Sequence, residues 1–275
     1  MKNYKKAIEN IRNILKNYIL TNNIKSLVVG ISGGIDSALC VALAKPVCDE
    51  LGIKIIGRSI TIESNKDSEK LRANLVGKSF CHDFKEIDLS NEFSLMSCVK
   101  DEISDSKPYK IRMGNIKARL RMIELYNLAS KYNGMVLSTD NWTEYLLGFW
   151  SLHGDVGDYG MIQSLWKTEV YDMTEYICNK ESNIAEKIAL TLCINADATD
   201  GLGISNTDLD QILPDWEERH ETTRSGYSEV DDILDEYITY GDFIGSDNQT
   251  KVIDRMKATK FKRENPINIP RNLII

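Results

Sequence analysis

The sequence predicts an α/β fold: a mainly parallel, five-stranded sheet with helices on both faces. Three observations carry that prediction. Candidate strands recur at residues 26–31 (SLVVGI), 54–59 (KIIGRS), 84–88 (FKEID, the weaker) and 135–138 (MVLS), with stretches of helical spacing between them. The first run is apolar throughout, as a strand covered on both faces must be. It runs directly into a Gly-Gly pair that opens a helix, so the chain turns from strand to helix within a few residues.

Each element follows in order. Residues 1–18 set Ala7, Ile8, Ile11, Ile14, Leu15 and Tyr18 at helical spacing among lysines. That pattern is an amphipathic helix, not the unbroken apolar run of a signal peptide. After strand 26–31, residues 36–51 supply a helix whose Ala38, Leu39, Val41, Ala42 and Leu43 pack back, with Pro46 marking a kink or an early end. Strand 54–59 leads to a charged helix at 64–79, and 84–88 is a weaker third strand. Residues 91–103 read as a helix, 105–109 (DSKPY) as a turn closed by Pro108, and 115–132 as a long helix. Strand 135–138 ends at Thr139-Asp140. Residues 148–160 are glycine-rich and irregular, a candidate mobile loop. Segments 168–180 and 182–192 are helical, 195–210 is polar and rich in Gly and Asp, and helical spacing restarts beyond Tyr227. The pattern holds no internal repeat, low-complexity tract or linker, so one domain is expected over residues 1–275.

Composition narrows the partners. With 275 residues, 42% of them hydrophobic, the chain can bury a large core. A net charge of −7 argues against general affinity for nucleic acid, whose phosphates demand surplus Lys and Arg. Six cysteines are scattered without a CxxC pair or a Cys/His cluster at zinc spacing, and they read as reduced thiols. No segment of about 18 apolar residues offers a membrane span. A cytoplasmic, soluble protein with neither nucleic acid nor membrane as partner is expected.

The chemistry begins at Gly30-Ile31-Ser32-Gly33-Gly34-Ile35-Asp36-Ser37. At a strand-to-helix turn, free backbone N–H groups and the helix dipole meet an anion, and glycines let the backbone approach phosphate oxygens closely. Ser32 and Ser37 add hydroxyl donors. Asp36 would repel a phosphate unless a divalent cation bridged the two. A bare Ser-Gly-Gly is equally a simple turn with Asp36 or Ser37 as N-cap. SGGxDS between an apolar strand and a helix, however, resembles the pyrophosphate loop of the N-type ATP pyrophosphatases, and it lacks the Gly-Lys-Ser/Thr of a Walker loop. That resemblance implies an adenine nucleotide alpha-hydrolase-like, Rossmann-like fold and cleavage of ATP into AMP and pyrophosphate.

Other segments select a family among those sharing the loop. Residues 114–122 (GNIKARLRM), 138–144 (STDNWTE), Gly148-Phe149, Gly154-Asp155, 227–234 (YSEVDDIL) and 259–266 (TKFKRENP) are similar, in order, to segments of ammonia-dependent NAD synthetases. The resemblance implies a carbon–nitrogen ligase that amidates deamido-NAD through an acyl-adenylate, with ATP as co-substrate, Mg2+ as cofactor and a homodimeric state. It assigns Gly30 to Ser37, Arg58, Thr139, Lys167 and Asn195 to ATP, and Asp36 and Glu144 to magnesium. Asp36, Glu144 and Lys167 take the catalytic roles; Arg119, Leu152, Asp158, Phe261 and Lys262 fall to deamido-NAD. Since the ATP unit starts near residue 26, no glutamine-hydrolysing domain is expected ahead of it, and free ammonia, or ammonia from a separate partner, is the expected nitrogen source.

Departures from the family pattern gather on the acyl-substrate side. Met113 replaces a Lys or Arg, Leu152 a lysine, Phe261 and Asn141 histidines, and Asn195 a threonine. Leu152 and Phe261 have no donor for a phosphate or carboxylate. Residues 213–226 (LPDWEERHETTRSG) are an insertion, favoured here as a surface excursion over a substrate gate. The alternatives are an adenylating ligase acting on nicotinate mononucleotide or another carboxylate, and a non-catalytic nucleotide-binding protein.

Overall fold

The structure, a computed structural model of the chain, describes residues 2–63, 65–100, 104–199, 205, 207–213, 215–241, 245–266 and 268–271. Parts of three expected segments, at 64, 101–103 and 200–204 with 206, lie outside the described residues, as does Pro214 of the insertion. Helix α1 (Tyr4–Thr21) leads into β1 (Ser26–Gly30), α2 (Ile35–Leu51), β2 (Lys54–Thr61), α3 (Asp67–Phe80) and β3 (Asp83–Asp88). Short helices α4 (Ser90–Leu95) and α5 (Ser97–Lys100) precede the long α6 (Lys107–Lys131), β4 (Gly134–Val136) and α7 (Trp142–Leu147). Then come α8 (Lys167–Lys180), α9 (Ile184–Ile194), α10 (Trp216–Arg219), α11 (Thr223–Tyr240), α12 (Asp247–Ala258) and α13 (Lys260–Arg263).

The strands pair in parallel in the order β3-β2-β1-β4, with Val28 facing Ile56 on one side and Val136 on the other. Alternation sorts their side chains between two cores. Leu27, Val29, Ile55 and Met135 join one with α1, α2, α8 and α9, while Val28, Ile56, Ile60 and Val136 join the other with α6. Helices therefore cover both faces, as expected. The sheet has four strands among the described residues, not five. Leu137 and Tyr159 make a single parallel bridge beyond β4, because after one rung the glycine-rich loop turns away.

Two prolines behave differently from expectation. Pro46 neither kinks nor ends α2, which runs on to Leu51. Its ring frees the carbonyl of Ala42 four residues back, and Arg12 of α1 donates there and to the Leu43 carbonyl, both at 3.3 Å. Pro108 does not close a turn; it sits in the first turn of α6, after the N-cap Ser106, where its missing N–H costs nothing.

A third apolar cluster contains no strand. It joins Leu146 and Leu147 of α7 to Val230 and Leu234 of α11 and Val252 and Met256 of α12. The insertion belongs to it, which corrects the surface reading. Leu213 is 0% and Trp216 5% exposed, and a Cβ on Gly226 would lie 2.6 Å from Leu209 Cδ1. The Trp216 indole N–H donates to Asp210 at 2.8 Å, so the segment is anchored on both its apolar and its polar side. No described helix is long and apolar enough to cross a membrane.

Candidate active site

The site forms where β1 hands over to α2. Gly34, the N-cap of α2, carries no side chain, so the first amide N–H groups of the helix face outward without a cap. The turn before it is tightly held. Gly33 has φ of +83°, and a Cβ there would come within 2.4 Å of the Glu69 carbonyl oxygen on α3. Arg72 donates to the Gly33 carbonyl at 2.9 Å, and the Cys193 thiol of α9 donates to it at 3.4 Å. Inside the turn, Ser37 Oγ donates to the Gly34 carbonyl at 3.0 Å and the Gly34 N–H to Ser32 Oγ at 3.1 Å.

A cavity of about 250 Å³ opens in front of this helix end. Gly30, Ile31, Ser32, Gly34, Ile35, Asp36, Arg58, Thr139, Glu144 and Lys167 line it, so most of the residues expected at ATP do come together. Gly33, Ser37 and Asn195 do not line it: the first two shape the turn, and Asn195 ends α9 just before lining residues Ala196 to Thr199. Arg58 is buried, with its guanidinium drawn to Asp83 on β3 at 2.9 Å.

Lys167, 2% exposed, stands between two carboxylates, with Nζ 2.5 Å from Asp36 Oδ2 and 2.9 Å from Glu144 Oε1. The three residues come from α2, α7 and α8. Asn141 knits them further. Its amide donates to Asp36 Oδ1 at 2.8 Å while its oxygen caps α7 at the Glu144 N–H, 3.0 Å away. Where the family pattern has histidine, this chain thus has an amide that binds two elements at once. Burial, reinforced by Asp36, pushes the Glu144 carboxyl up to about 7 even with Lys167 beside it. Burial works against the Lys167 charge, but Asp36 and Glu144 outweigh it and hold the ammonium well above its ordinary range. Nearby, burial lifts Asp140 to about 7, with Asp155 and Asp36 adding to the rise. Burial also raises Asp155 to about 6. Among the described residues no group of three or more His, Cys, Asp and Glu side chains converges as a metal site; Asp36 and Glu144 are a pair.

The residues expected at the acyl substrate lie outside this cavity. Arg119 donates to the Leu152 carbonyl at 2.7 Å, and Lys262 to the carbonyls of Gly148 and Trp150 at 2.7 and 2.5 Å. Asp158 accepts from Tyr126 at 2.8 Å and from the Val136 N–H at 2.9 Å. Phe261 is 53% exposed. Sequence reasoning passed over Asn65, Glu69, Arg72 and Arg121, all of which line the cavity. For Arg121 a signal existed, two positions beyond Arg119 on one helix. Glu69 and Arg72 looked like ordinary charges on a solvated helix.

The comparisons with known proteins agree on one family. The chain matches the NAD synthase family over residues 7–266. The NH(3)-dependent NAD(+) synthetase of Methanosarcina mazei is 31% identical over 94% of this chain and 97% of its own. That of Thermoplasma volcanium is 29% identical over 98% and 99%. Among solved structures, the NMN synthetase of Francisella tularensis superposes with a TM-score of 0.77 at 22% identity, covering 98% of this chain and all of that one. The NH3-dependent NAD synthetase of Campylobacter jejuni reaches 0.67 at 21% identity, with the same coverage. At such identities the structures speak for the fold alone, whereas the match of sequence over nearly the whole length places this chain in the NAD synthase family of carbon–nitrogen ligases.

Proposed function

We propose that this protein amidates deamido-NAD with ammonia, using ATP and releasing AMP and pyrophosphate through an acyl-adenylate. The observation that carries the reading is the buried Lys167, fixed between Asp36 and Glu144 at the open N-terminus of α2. The phosphates of ATP bind against the first amides of α2, where the helix dipole favours negative charge. The nicotinate carboxylate attacks the α-phosphorus, and Lys167 meets the charge that gathers on the departing pyrophosphate. Ammonia then attacks the acyl carbon, and AMP leaves. No side-chain nucleophile is needed, so catalysis rests on positioning and fixed charge.

The donor set fits magnesium. Each oxygen of Asp36 and Glu144 has one hydrogen-bond partner and keeps a second lone pair, and Mg2+ prefers few carboxylates with phosphate and water completing its shell. Asp36 and Glu144 would hold it, and it would neutralise pyrophosphate charge. Ammonia as nitrogen source is supported by the relatives of that name, matched over 94% of this chain or more. A homodimer is supported by exposed aromatics in one tract: Tyr18 packs on Tyr159, whose neighbour Asp158 binds Tyr126. Six free thiols suit a cytoplasmic setting.

The test incubates the protein with ATP, Mg2+ and ammonia, supplies deamido-NAD or nicotinate mononucleotide, and measures AMP and amide. AMP and NAD formed one for one with deamido-NAD is the expected result. The mononucleotide is the second acid to try because Leu152 offers no cation and Lys262 is bonded to its own loop. AMP release with the mononucleotide alone overturns the dinucleotide assignment.

A further inference from the structure

Helix α8 starts at Lys167: Glu169 accepts from the N-cap Trp166 N–H at 2.9 Å, but the Trp166 side chain makes no hydrogen bond to the helix amides. Its first two amide N–H groups are satisfied by residues from other helices. The Lys167 N–H donates to Thr143 Oγ1 at 2.9 Å, and the Thr168 N–H to Asp231 Oδ2 at 2.9 Å. Asp231 ties the two together. It accepts from Thr143 Oγ1 at 2.5 Å through Oδ1 and from Thr168 Oγ1 at 2.8 Å through Oδ2. Because the Thr143 proton is committed to Asp231, the lone pairs of that hydroxyl are left facing the Lys167 amide. Both residues are buried, Thr143 at 0% and Asp231 at 5% exposed.

The two threonines flank the catalytic pair. Thr143 precedes Glu144, and Thr168 follows Lys167. One carboxylate on α11 therefore pins the two backbone segments whose side chains meet at 2.9 Å. One turn earlier on the same helix, the Tyr227 ring lies 5.5 Å from the Lys167 ammonium. Lysine carries its charge on a flexible stem, and the first residue of a helix frays unless its amide is held. A negative group at this helix end also suits the dipole and offsets the adverse placement of Lys167 at an N-terminus. Burial raises the Asp231 carboxyl to about 6 while Thr143 and Thr168 pull it down, so it is ionised at neutral pH.

We infer that Asp231, acting through Thr143 and Thr168, is a positioning residue that sets Lys167 against Glu144 before charge develops on the leaving pyrophosphate. The inference rests on the reading of Lys167 proposed above. It also accounts for the YSEVDDIL segment, since Asp231 joins α11 directly to the backbone segments that carry Glu144 and Lys167.

Four variants test it: Thr143→Val, which keeps shape and removes the hydroxyl; Thr143→Ser, which restores it; Asp231→Asn; and Val252→Ala, which loosens the same apolar cluster away from the clamp. Thr143→Val and Asp231→Asn should lower kcat roughly 10- to 100-fold, with KM and calorimetric Kd for ATP within about threefold of wild type. Thr143→Ser should recover most of the loss. Val252→Ala should melt earlier yet keep kcat. A second readout is independent of turnover: acetylation of Lys167 by an amine-reactive reagent, followed by mass spectrometry. The wild-type and Val252→Ala proteins should resist modification, whereas Thr143→Val and Asp231→Asn should expose the amine. Unchanged kcat and unchanged protection in the clamp variants overturn the inference, as does equal loss in Val252→Ala. A wild-type protein that releases no AMP with any acid defeats the functional reading instead, and the labelling still decides whether Asp231 holds Lys167.

Discussion

The two sides of the site use their charges in opposite ways. Around the N-terminus of α2, charged side chains converge from separate helices: Lys167 is buried between the part-buried Asp36 and Glu144, and all three line the cavity. Around the 148–160 loop, charges are spent on backbone. Lys262 binds the carbonyls of Gly148 and Trp150, and Arg119 that of Leu152. Charges held among themselves in a low dielectric are prepared for a reaction, since their field is in place before the substrate's charge appears. Charges bound to carbonyls shape a loop. The substitutions Leu152 and Phe261 fall on the second side, outside the cavity that Asp36, Glu144 and Lys167 line.

The largest effect should come from removing the central cation. Lys167→Met should cut kcat roughly 100- to 1,000-fold and destabilise the fold by about 3 kcal/mol, because it leaves two part-buried carboxylates without the cation between them. Steady-state AMP release and thermal melts measure both, and a variant with normal kcat would erase the distinction between the two sides. Next is Gly33→Ala. With φ at +83° and a backbone oxygen 2.4 Å from the new Cβ, it should cost about 1–3 kcal/mol and raise KM for ATP. If KM for ATP is unmoved, the turn is not what sets the helix amides.

On the other side, Lys262→Met should leave ATP binding unchanged and raise KM for the acid about tenfold, corresponding to roughly 1.4 kcal/mol for carbonyls left without their donor. A loss confined to ATP affinity would reverse the assignment of the sides. The smallest effect concerns Asp140, which feels Asp155 from the loop and Asp36 from the phosphate turn. Its carboxyl is raised to about 7 from an ordinary 3.8, so its burial costs stability above pH 7 and nothing below about pH 4. Asp140→Asn should therefore stabilise the protein by about 1 kcal/mol at pH 8, after the cost of burying a new amide. That gain should shrink as pH falls through 7 and vanish near 4. Melting curves across the range would show a flat difference if Asp140 is not strained by its neighbours.

Legibility in the sequence followed distance along the chain. The strand 26–31, its Gly-Gly turn and the helix behind it could be read directly, because apolar run, breaker and periodicity lie within about 25 residues. The segment 139–144 was equally plain as a polar cluster at a strand end. Pro46 misled because the group that relieves it, Arg12, lies on another helix, 30 residues before the Ala42 carbonyl that it bonds. The insertion at 213–226 misled because its polar composition hides a single tryptophan that the third apolar cluster absorbs. Glu69 and Arg72 carried no signal, since only the fold of α3 over Gly33 brings them to the cavity.

By itself, the sequence determined the parallel α/β layout and the uncapped helix end after the Gly-Gly turn, because both arise from periodicity and turn chemistry among neighbours. Tertiary structure alone decided that Asn141 would reach Asp36 across 105 residues, Lys167 reach it across 131, and Asp231 cap a helix 63 residues away. The physical reason is burial. A charge or amide N–H removed from water must find its partner wherever the packed elements place one, and no local pattern records where that is.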